Sequence, residues 1–515
     1  MRQGQRILKN ATVGVASGVI AVAIELAILG ILARYLGVSA FGTYVFVLAI
    51  VRALQDVGDL GLRSVLLRDI AADPRNAQKA LGVARSLAWL LSVAMCAVIA
   101  GAINLLRVEP EVVRLTYLAS LALVATLQAN AYAAVCRAFE AMEFNAIGHV
   151  LERVVYGLLV VRVVQMDWGL QGVFGSLLAA NLLLWLFYYV VVRVRYVRPR
   201  LSFDLAAWWA MARAAIPVGV GVVLRRMAWR VDTVLLVKMA DSAAAGLFNA
   251  AYRIPAQVNR LSSTLSHPFV PVYSRLAKGS AVGVSGAWEK SFKLFWVGSV
   301  PMAVVALIYA DIVVGVLFGA KFADAADALR VQSVAIMFLF PAGLYLGLFT
   351  AVGQQRLYMI ISGACLAVNT VFDLLLIPGY GFIGASVATS LAEVTFFAVG
   401  AYFIRRLGIS LSFLRLMARP VLAGLLMVGF LYPLAKAPLW WALLAGLPVG
   451  LLLYGGVLLL LGTFSREELA LMRKSLHFGG APAPGGPRGR GRRASGSPGA
   501  PRQQGTEGEG GEGSR

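Results

Sequence analysis

VVLRRMAWRVDTVLLVK, residues Val222–Lys238, sits inside an apolar run that extends from about Ala212 to Lys238 and is long enough to cross a bilayer. Arg225, Arg226, Arg230 and Asp232 lie near its middle. A single charge at the bilayer centre costs about 2.5–3.5 kcal/mol on insertion scales. A chain that keeps such a group there turns it toward water, toward opposite charges or toward a ligand. Arg226, Arg230 and Thr233 are spaced by four and three and share one helical face. Arg225, Trp229 and Asp232 share the neighbouring face. Two arrangements are open: internal pairing in a dry bundle, such as Arg225 with Asp232, or a water-filled cavity that receives a ligand. The second is the expectation carried forward.

The rest of the chain is equally oily. Of its 515 residues, 59% are hydrophobic and 14% charged, and the mean hydropathy is +0.77. Soluble domains carry about 25% charged residues. The fold class expected is an all-α polytopic membrane protein. A net charge of +22 invites a nucleic-acid reading, but most Lys and Arg fall in short loops between apolar runs, where membrane topology places them. No nucleic-acid partner is expected. Cys96, Cys136 and Cys365 lie in apolar segments at unrelated spacing, and His149, His267 and His477 are scattered. Neither set forms a disulfide framework or a metal site, so no cofactor is expected.

Fourteen runs have spanning length, at about 10–36, 41–66, 80–106, 112–137, 144–165, 169–192, 212–238, 243–272, 291–318, 326–352, 356–378, 382–404, 416–435 and 439–462. The run after Lys9 is too long for the apolar core of a signal peptide and is read as the first span. An even number of spans leaves both termini on one side. With both in the cytoplasm, inside loops hold roughly 21 Lys and Arg and outside loops roughly 7, the asymmetry expected of a cytoplasmic-membrane protein. The loop with Arg137, Glu140 and Glu143 contributes nothing to that excess. Loops are short, so none houses a soluble catalytic domain. Beyond about Arg466 the chain turns to Gly, Pro and Arg with an acidic end, a composition that buries no core. The expected reading is a solvated tail with no function; the alternative is contact of Arg488, Arg490, Arg492 and Arg493 with anionic lipid headgroups.

A faint internal repeat is visible. LARYLGVSAFGTY (Leu32–Tyr44) aligns with LVKMADSAAAGLF (Leu236–Phe248), placing Arg34 over Lys238 and Gly42 over Gly246. Gly169 and Gly172 match Gly381 and Gly384, and Arg193 matches Arg405. Two parallel six-span lobes in pseudo-twofold arrangement follow, at 1–192 and 212–404, joined by a linker at 193–211. Two extra spans at 405–465 and a disordered basic tail at 466–515 complete the expected organisation. Gly14 and Gly18 form a close-packing GxxxG pair. Pro217, Pro255, Pro301 and Pro341 fall inside spans, where each removes a backbone donor and can bend its helix.

Charges within the spans are uneven. Span 2 carries Arg52, Asp56, Asp59 and Arg63 on one face; span 8 carries Asn249, Arg253, Gln257, Arg260, Thr264 and His267; span 1 carries Glu25. The simplest arrangement gathers spans 1, 2, 7 and 8 around one polar cavity. Its expected substrate-binding residues are Glu25, Arg52, Asp56, Arg225, Arg226, Arg230, Asp232, Arg253 and Arg260. Arg52 and Asp56, four apart, are also candidates for a local pair. His267 reads as a helix-end residue beside Pro268, Asp311 and Asp373 as interfacial, and Glu393 as a satisfied bundle residue. A lining richer in Arg than in acids suits an anionic ligand, because the guanidinium fork matches phosphate oxygens.

The segments ILKNATVGVASGV, ILARYLGVSAFGTYVFVLAI and DVGDLGLRSVLLRDIA, together with NTVFDLLLIPGYGFIGASVATSLAE (Asn369–Glu393), resemble the Wzx-type polysaccharide flippases of the multidrug/oligosaccharidyl-lipid/polysaccharide superfamily. The resemblance covers about residues 5–460. It implies a lipid-linked oligosaccharide, typically on undecaprenyl diphosphate, moved by alternating access of two lobes, with glycosyltransferases and a glycan polymerase as possible partners. It also implies a transporter and not an enzyme. The competing readings are a MATE-like exporter of cationic drugs, which calls for an acidic cavity, and a membrane-embedded polymerase or ligase, which calls for a large external loop.

Overall fold

The computed structural model describes residues 3–59, 61–139, 141–277, 281–409, 413–434 and 441–464. Residues Met1–Thr463 form one compact unit. Glu140, the residues beyond Phe464, and with them the basic tail, lie outside the described residues. Among the described residues the fourteen expected spans fall mostly on helix, with breaks inside them at Gly61, His267–Pro268, Tyr309 and Gly343–Leu344. Among the described residues, eight helices are long and apolar enough to cross a membrane on length and composition alone, nine if one bent pair counts as a span.

Two helices are too long to be single spans. α1 (Gln3–Asp59) has 57 residues, roughly 85 Å of helix against a hydrocarbon core of about 30 Å. It breaks at Gly37, at φ 74° and ψ 178°. α14 (Gln355–Arg406) breaks in the same manner at Gly381, at φ 54° and ψ −131°. Glycine reaches both conformations without a Cβ clash, so single residues replace the expected loops between spans 1 and 2 and between spans 11 and 12.

The order continues with α2 (Leu62–Ala72), α3 (Ala77–Leu105), α4 (Pro110–Ala138), α5 (Met142–Met166), α6 (Gly169–Arg195), α7 (Leu205–Met239), α8 (Ser242–Ser266) and α9 (Phe269–Leu276). Then come α10 (Ser285–Ile308), α11 (Ala310–Phe318), α12 (Ala325–Ala342), α13 (Tyr345–Ala351), α14, α15 (Phe413–Leu434) and α16 (Leu447–Leu460). α7 starts seven residues before the expected span at 212, because Asp204 caps it by accepting from the Ala207 N–H at 3.0 Å. A bend of 60° then separates Leu205–Ile216 from Gly219–Met239. Pro255, Pro301 and Pro341 sit inside α8, α10 and α12.

At the end of the bundle that carries Gly37, the first and second sets of spans meet backbone to backbone. A Cβ on Gly42 would lie 1.5 Å from the Ser242 carbonyl oxygen, and one on Gly246 would lie 2.4 Å from that of Val38. The two glycines matched by the internal repeat thus form the crossing of α1 and α8. Phe41 packs beside them on Phe318 and Phe322. The matched cations act alike. Arg34 donates to the Val316 carbonyl at 2.5 Å, near the C-terminus of α11. Lys238 donates to the Leu106 carbonyl, the C-cap of α3. Each cation meets the negative end of a helix dipole from the other set of spans.

The last spans pack on α10. Tyr454 of α16 donates to the Val297 carbonyl at 2.8 Å, and Trp296 donates to the Met417 carbonyl at 3.3 Å. Outward faces are leucine-rich: Leu375, Leu452 and Leu460 are exposed, a surface suited to lipid and not to water.

Candidate functional site

The second half of α1 places Arg52, Gln55 and Asp56 on one face, toward α7. Asp56 is the acceptor for two arginines of α7. Arg226 donates to its Oδ1 at 2.6 Å and Arg230 to its Oδ2. The local Arg52–Asp56 pair expected from sequence does not form; the acid reaches across to α7, and among the described residues Arg52 has no acidic partner. One layer away, Glu25 accepts from Arg260 of α8 at 2.8 Å and lies 3.5 Å from Arg153 of α5. Arg253 of α8 adjoins Glu25, Arg52 and Arg153 around a small pocket, and its Nε is buried without a hydrogen-bond partner.

Two cavities flank this network. The first, about 260 Å³, is walled by Arg52, Gln55, Asp56, Asn130, Asn181 and Arg230, with His149, Glu152 and Arg153 of α5. The second, about 210 Å³, is walled by Arg225, Arg226, Trp229, Asn259, Tyr358 and Phe396. Asp56 stands between them, holding one arginine from each wall. Across the network Arg52, Arg153, Arg226, Arg230, Arg253 and Arg260 face Glu25, Asp56 and Glu152. The excess is positive, and the side chains of Arg226 and Arg260 are 37% and 45% exposed. Such a surface attracts anions and repels cations.

Spans 1, 2, 7 and 8 do meet here, but α4, α5 and α6 complete the walls. The sequence reading passed over α5. Its signal was present in Asn145, His149, Glu152 and Arg153, spaced by four, three and one on a single helical face. α4 and α6 contribute quieter polar groups, joined where Thr126 donates to Asn181 at 2.8 Å.

Two expected site residues are buried. Arg225 is 5% exposed. It pairs with Glu393 of α14 at 2.5 Å, and its guanidinium lies 3.9 Å from the Phe396 ring centroid and 4.8 Å from that of Trp229. Trp229 donates to the other Glu393 oxygen at 3.0 Å. The suggested Arg225–Asp232 pair is therefore corrected: Glu393 is the partner. Asp232, expected on the cavity wall, has no exposed surface. It accepts from Asn369 at 2.6 Å and from Thr389 at 3.0 Å. Asp373, expected at the interface, is also fully buried and shares the Asn369 amide at 3.3 Å. A helix end was the wrong place for it because spans 11 and 12 are joined by one glycine and the helix continues past it.

Two adjacent carboxylates in a dry bundle cannot both keep their charge without a proton or a cation between them. The carboxylates and the Thr389 hydroxyl are oxygen groups of the kind that hard cations take as ligands, and the Asn369 amide donates to both acids. Among the described residues no group of three or more His, Cys, Asp or Glu gathers as a transition-metal site would require. His267 is exposed at the C-cap of α8, and Asp311 pairs with Arg330 at the surface.

Comparison with known proteins bears on the family and the fold. The family profile described as polysaccharide biosynthesis protein matches residues 31–327. An uncharacterized membrane protein of Methanocaldococcus jannaschii is 26% identical over 138 residues, 27% of each chain. A second from that organism is 21% identical over 199 residues, 38% of this chain and 46% of the other. The chain thus matches about a quarter and under half of the length of these curated relatives. Among solved structures, the lipid II flippase MurJ in an inward closed conformation superposes with a TM-score of 0.73 at 12% identity, covering 91% of this chain and 100% of that one. An inward-facing multidrug resistance MATE family transporter of the MOP superfamily gives 0.61 at 15%, covering 77% and 99%. A MOP superfamily transporter from Pyrococcus furiosus, described as having a binding pocket of reverse polarity, gives 0.57 at 16%, covering 78% and 96%. These structures share the fold.

Proposed function

This chain belongs to the polysaccharide biosynthesis protein family, and we propose that, as a transporter in that family, it flips an oligosaccharide linked to a polyprenyl diphosphate across the cytoplasmic membrane. One observation carries the reading. Arg52 and Arg253, neither of which forms an ion pair among the described residues, adjoin each other near Glu25, beside a bridge in which a single carboxylate, Asp56, is shared by Arg226 and Arg230. A diphosphate can take the place of that carboxylate and meet the spare guanidinium groups, as Arg forks bind phosphate oxygens two at a time. The hydrogen-bonding wall of the first cavity, with Gln55, Asn130 and Asn181, suits sugar hydroxyls. A drug exporter of the same fold would need acids where these arginines stand.

The two sets of six spans, 1–192 and 212–404, act as lobes in this reading, with 193–211 as linker and 405–465 as an added pair. Both termini face the cytoplasm, so the Gly37 end is external. Its Gly42–Gly246 crossing closes the outer side while the cavities load from within. The acid pair Asp232–Asp373 supplies a place where a proton or a small cation can enter the cycle. Glycosyltransferases that build the unit and a polymerase that consumes it are the expected neighbours.

The decisive test is chemical. Cells lacking the protein should accumulate a diphosphate-linked oligosaccharide, visible by mass spectrometry of lipid extracts and cleared when the gene is restored. Unchanged lipid extracts together with heightened sensitivity to cationic dyes would reverse the assignment in favour of drug export.

A further inference from the structure

Away from both cavities, α3, α4 and α6 close around a second group of polar side chains. Each helix gives a pair one turn apart: Arg85 and Trp89 from α3, Gln128 and Tyr132 from α4, Trp185 and Tyr189 from α6. The pairs form two layers. In one, the Arg85 guanidinium lies 5.1 Å from the Tyr132 ring centroid, and Tyr132 meets Tyr189 edge to face at 5.9 Å. In the other, Trp89 meets Trp185 edge to face at 6.0 Å. This is not the transport site. The first cavity takes Ala122, Thr126 and Asn130 from α4, whereas Gln128 and Tyr132 lie on another face of that helix.

What sets the cluster apart is its unmet demand. Arg85 Nε, Gln128 Nε2 and Oε1, the Tyr132 hydroxyl and Trp185 Nε1 are all buried without a hydrogen-bond partner. Gln128 and Tyr132 have no exposed surface and Arg85 has 9%. Among the described residues Arg85 has no acidic partner. Folded proteins leave few buried polar groups unpaired, and those that occur point to a missing water or ion. Four of the five atoms carry hydrogens to donate, and the group holds an uncompensated cation. The complementary ligand presents oxygen acceptors and a negative charge. An ordinary aromatic belt at the membrane surface does not account for this, since belt Trp and Tyr keep their polar atoms wet.

Position narrows the ligand. Arg85 is eight residues into α3, and Tyr132 and Tyr189 are each six residues from the ends of α4 and α6. At 1.5 Å per residue the cluster lies roughly 9–12 Å inside the helix ends, near the inner edge of a headgroup layer. Arg193 continues the series outward, donating to the Tyr189 hydroxyl at 2.8 Å. We propose that Arg85, Gln128, Tyr132 and Trp185 bind the phosphate of an anionic membrane phospholipid, a structural lipid separate from the transported one. The inference does not depend on what the central cavities carry.

The test uses the full-length protein, purified in detergent and stripped of lipid. Phosphatidylglycerol, phosphatidylcholine and inorganic phosphate are added separately, with melting temperature and native mass spectrometry as readouts. Phosphatidylglycerol should raise the melting temperature and persist as a one-lipid adduct. Arg85→Gln should weaken that binding about tenfold or more, the loss of one charge-assisted hydrogen bond, and Tyr132→Phe should weaken it less. Gln128→Leu serves if Arg85→Gln does not fold. Arg226→Ala should leave the lipid response intact. An equal rise with inorganic phosphate alone keeps the site and makes the free anion its source. Equal responses to phosphatidylcholine and phosphatidylglycerol, no response to any additive, or a response unchanged in Arg85→Gln and Gln128→Leu overturns it.

Discussion

Arg225 and Arg226 are neighbours in the chain and opposites in the fold. The Arg225 side chain is 6% exposed, clamped between aromatic rings and paired with a Glu393 that is itself 1% exposed. The Arg226 side chain is 37% exposed and shares its acid with Arg230. Both border the second cavity, but Arg225 is buried and matched one to one with a carboxylate, whereas Arg226 belongs to a more exposed network with more cations than acids. Desolvation explains the division. A buried ion pair persists only when its geometry and added hydrogen bonds offset the loss of water, and Glu393 receives both Arg225 and Trp229. A cavity wall keeps water to stabilise its surplus charge, so its arginines are available to a ligand.

The largest effect that sharpens this contrast is on stability. Glu393→Gln leaves Arg225 charged and unpaired in the buried cluster, which should cost about 3–5 kcal/mol. The expected result is a large drop in melting temperature in detergent and poor recovery from the membrane. Arg225→Met with Glu393→Leu removes both charges together and should recover most of the loss, since apolar replacements of a buried pair are often neutral or better. A Glu393→Gln protein as stable as the parent would mean that Arg225 has water within reach and that the two regions are alike.

Next comes the more exposed network, where the effect should fall on transport. Arg226→Ala with Arg230→Ala should lower glycan export by about tenfold or more, given roughly 1.5–3 kcal/mol for each hydrogen bond to a charged group. Membrane abundance should stay near that of the parent. Export assayed beside abundance checks this directly. Full export in the double variant removes these arginines from the binding site, and loss of the protein itself places them with Arg225 as structural residues.

Local patterns carried much of the fold into the sequence, and long-range pairing did not appear there. Hydropathy located the helices because a span must satisfy its own backbone in lipid, but that the junctions at Gly37 and Gly381 take a single residue each emerged only in the structure. The faint repeat paired Gly42 with Gly246, and the two proved to touch. Which arginine faces water was not legible. The partner acids are 168 and 170 residues away, for Arg225 and Arg226 respectively, and the two cations are one position apart. α5 was legible but outweighed, since its face of Asn145, His149, Glu152 and Arg153 is diluted by the apolar residues around it. Pairing by proximity, as in Arg52 with Asp56, failed because α7 offered Asp56 two better-placed donors.

The smallest expected effect lies at the Gly37 end, which is neither dry core nor open cavity. Arg34 and Lys238 are matched by the repeat, and each caps a helix from the other set of spans. Cations near exposed helix C-termini contribute about 0.3–1 kcal/mol each. Removing one as Arg34→Gln or Lys238→Gln should therefore shift the balance between closed and open outer faces by only about two- to fivefold. The contacts share no partner, so their effects should add in free energy and multiply in population. The readout is labelling of Gln55→Cys, on the cavity wall, by an impermeant thiol reagent applied from outside, in a background without Cys96, Cys136 and Cys365. The double variant should label faster than either single one by the product of their effects. Gly42 and Gly246 continue to close the crossing in all of them, which keeps the change modest. A double variant that labels no faster than the parent would show that the glycine crossing alone holds the outer side shut and that the two cations, though paired by the repeat, serve only their own helix ends.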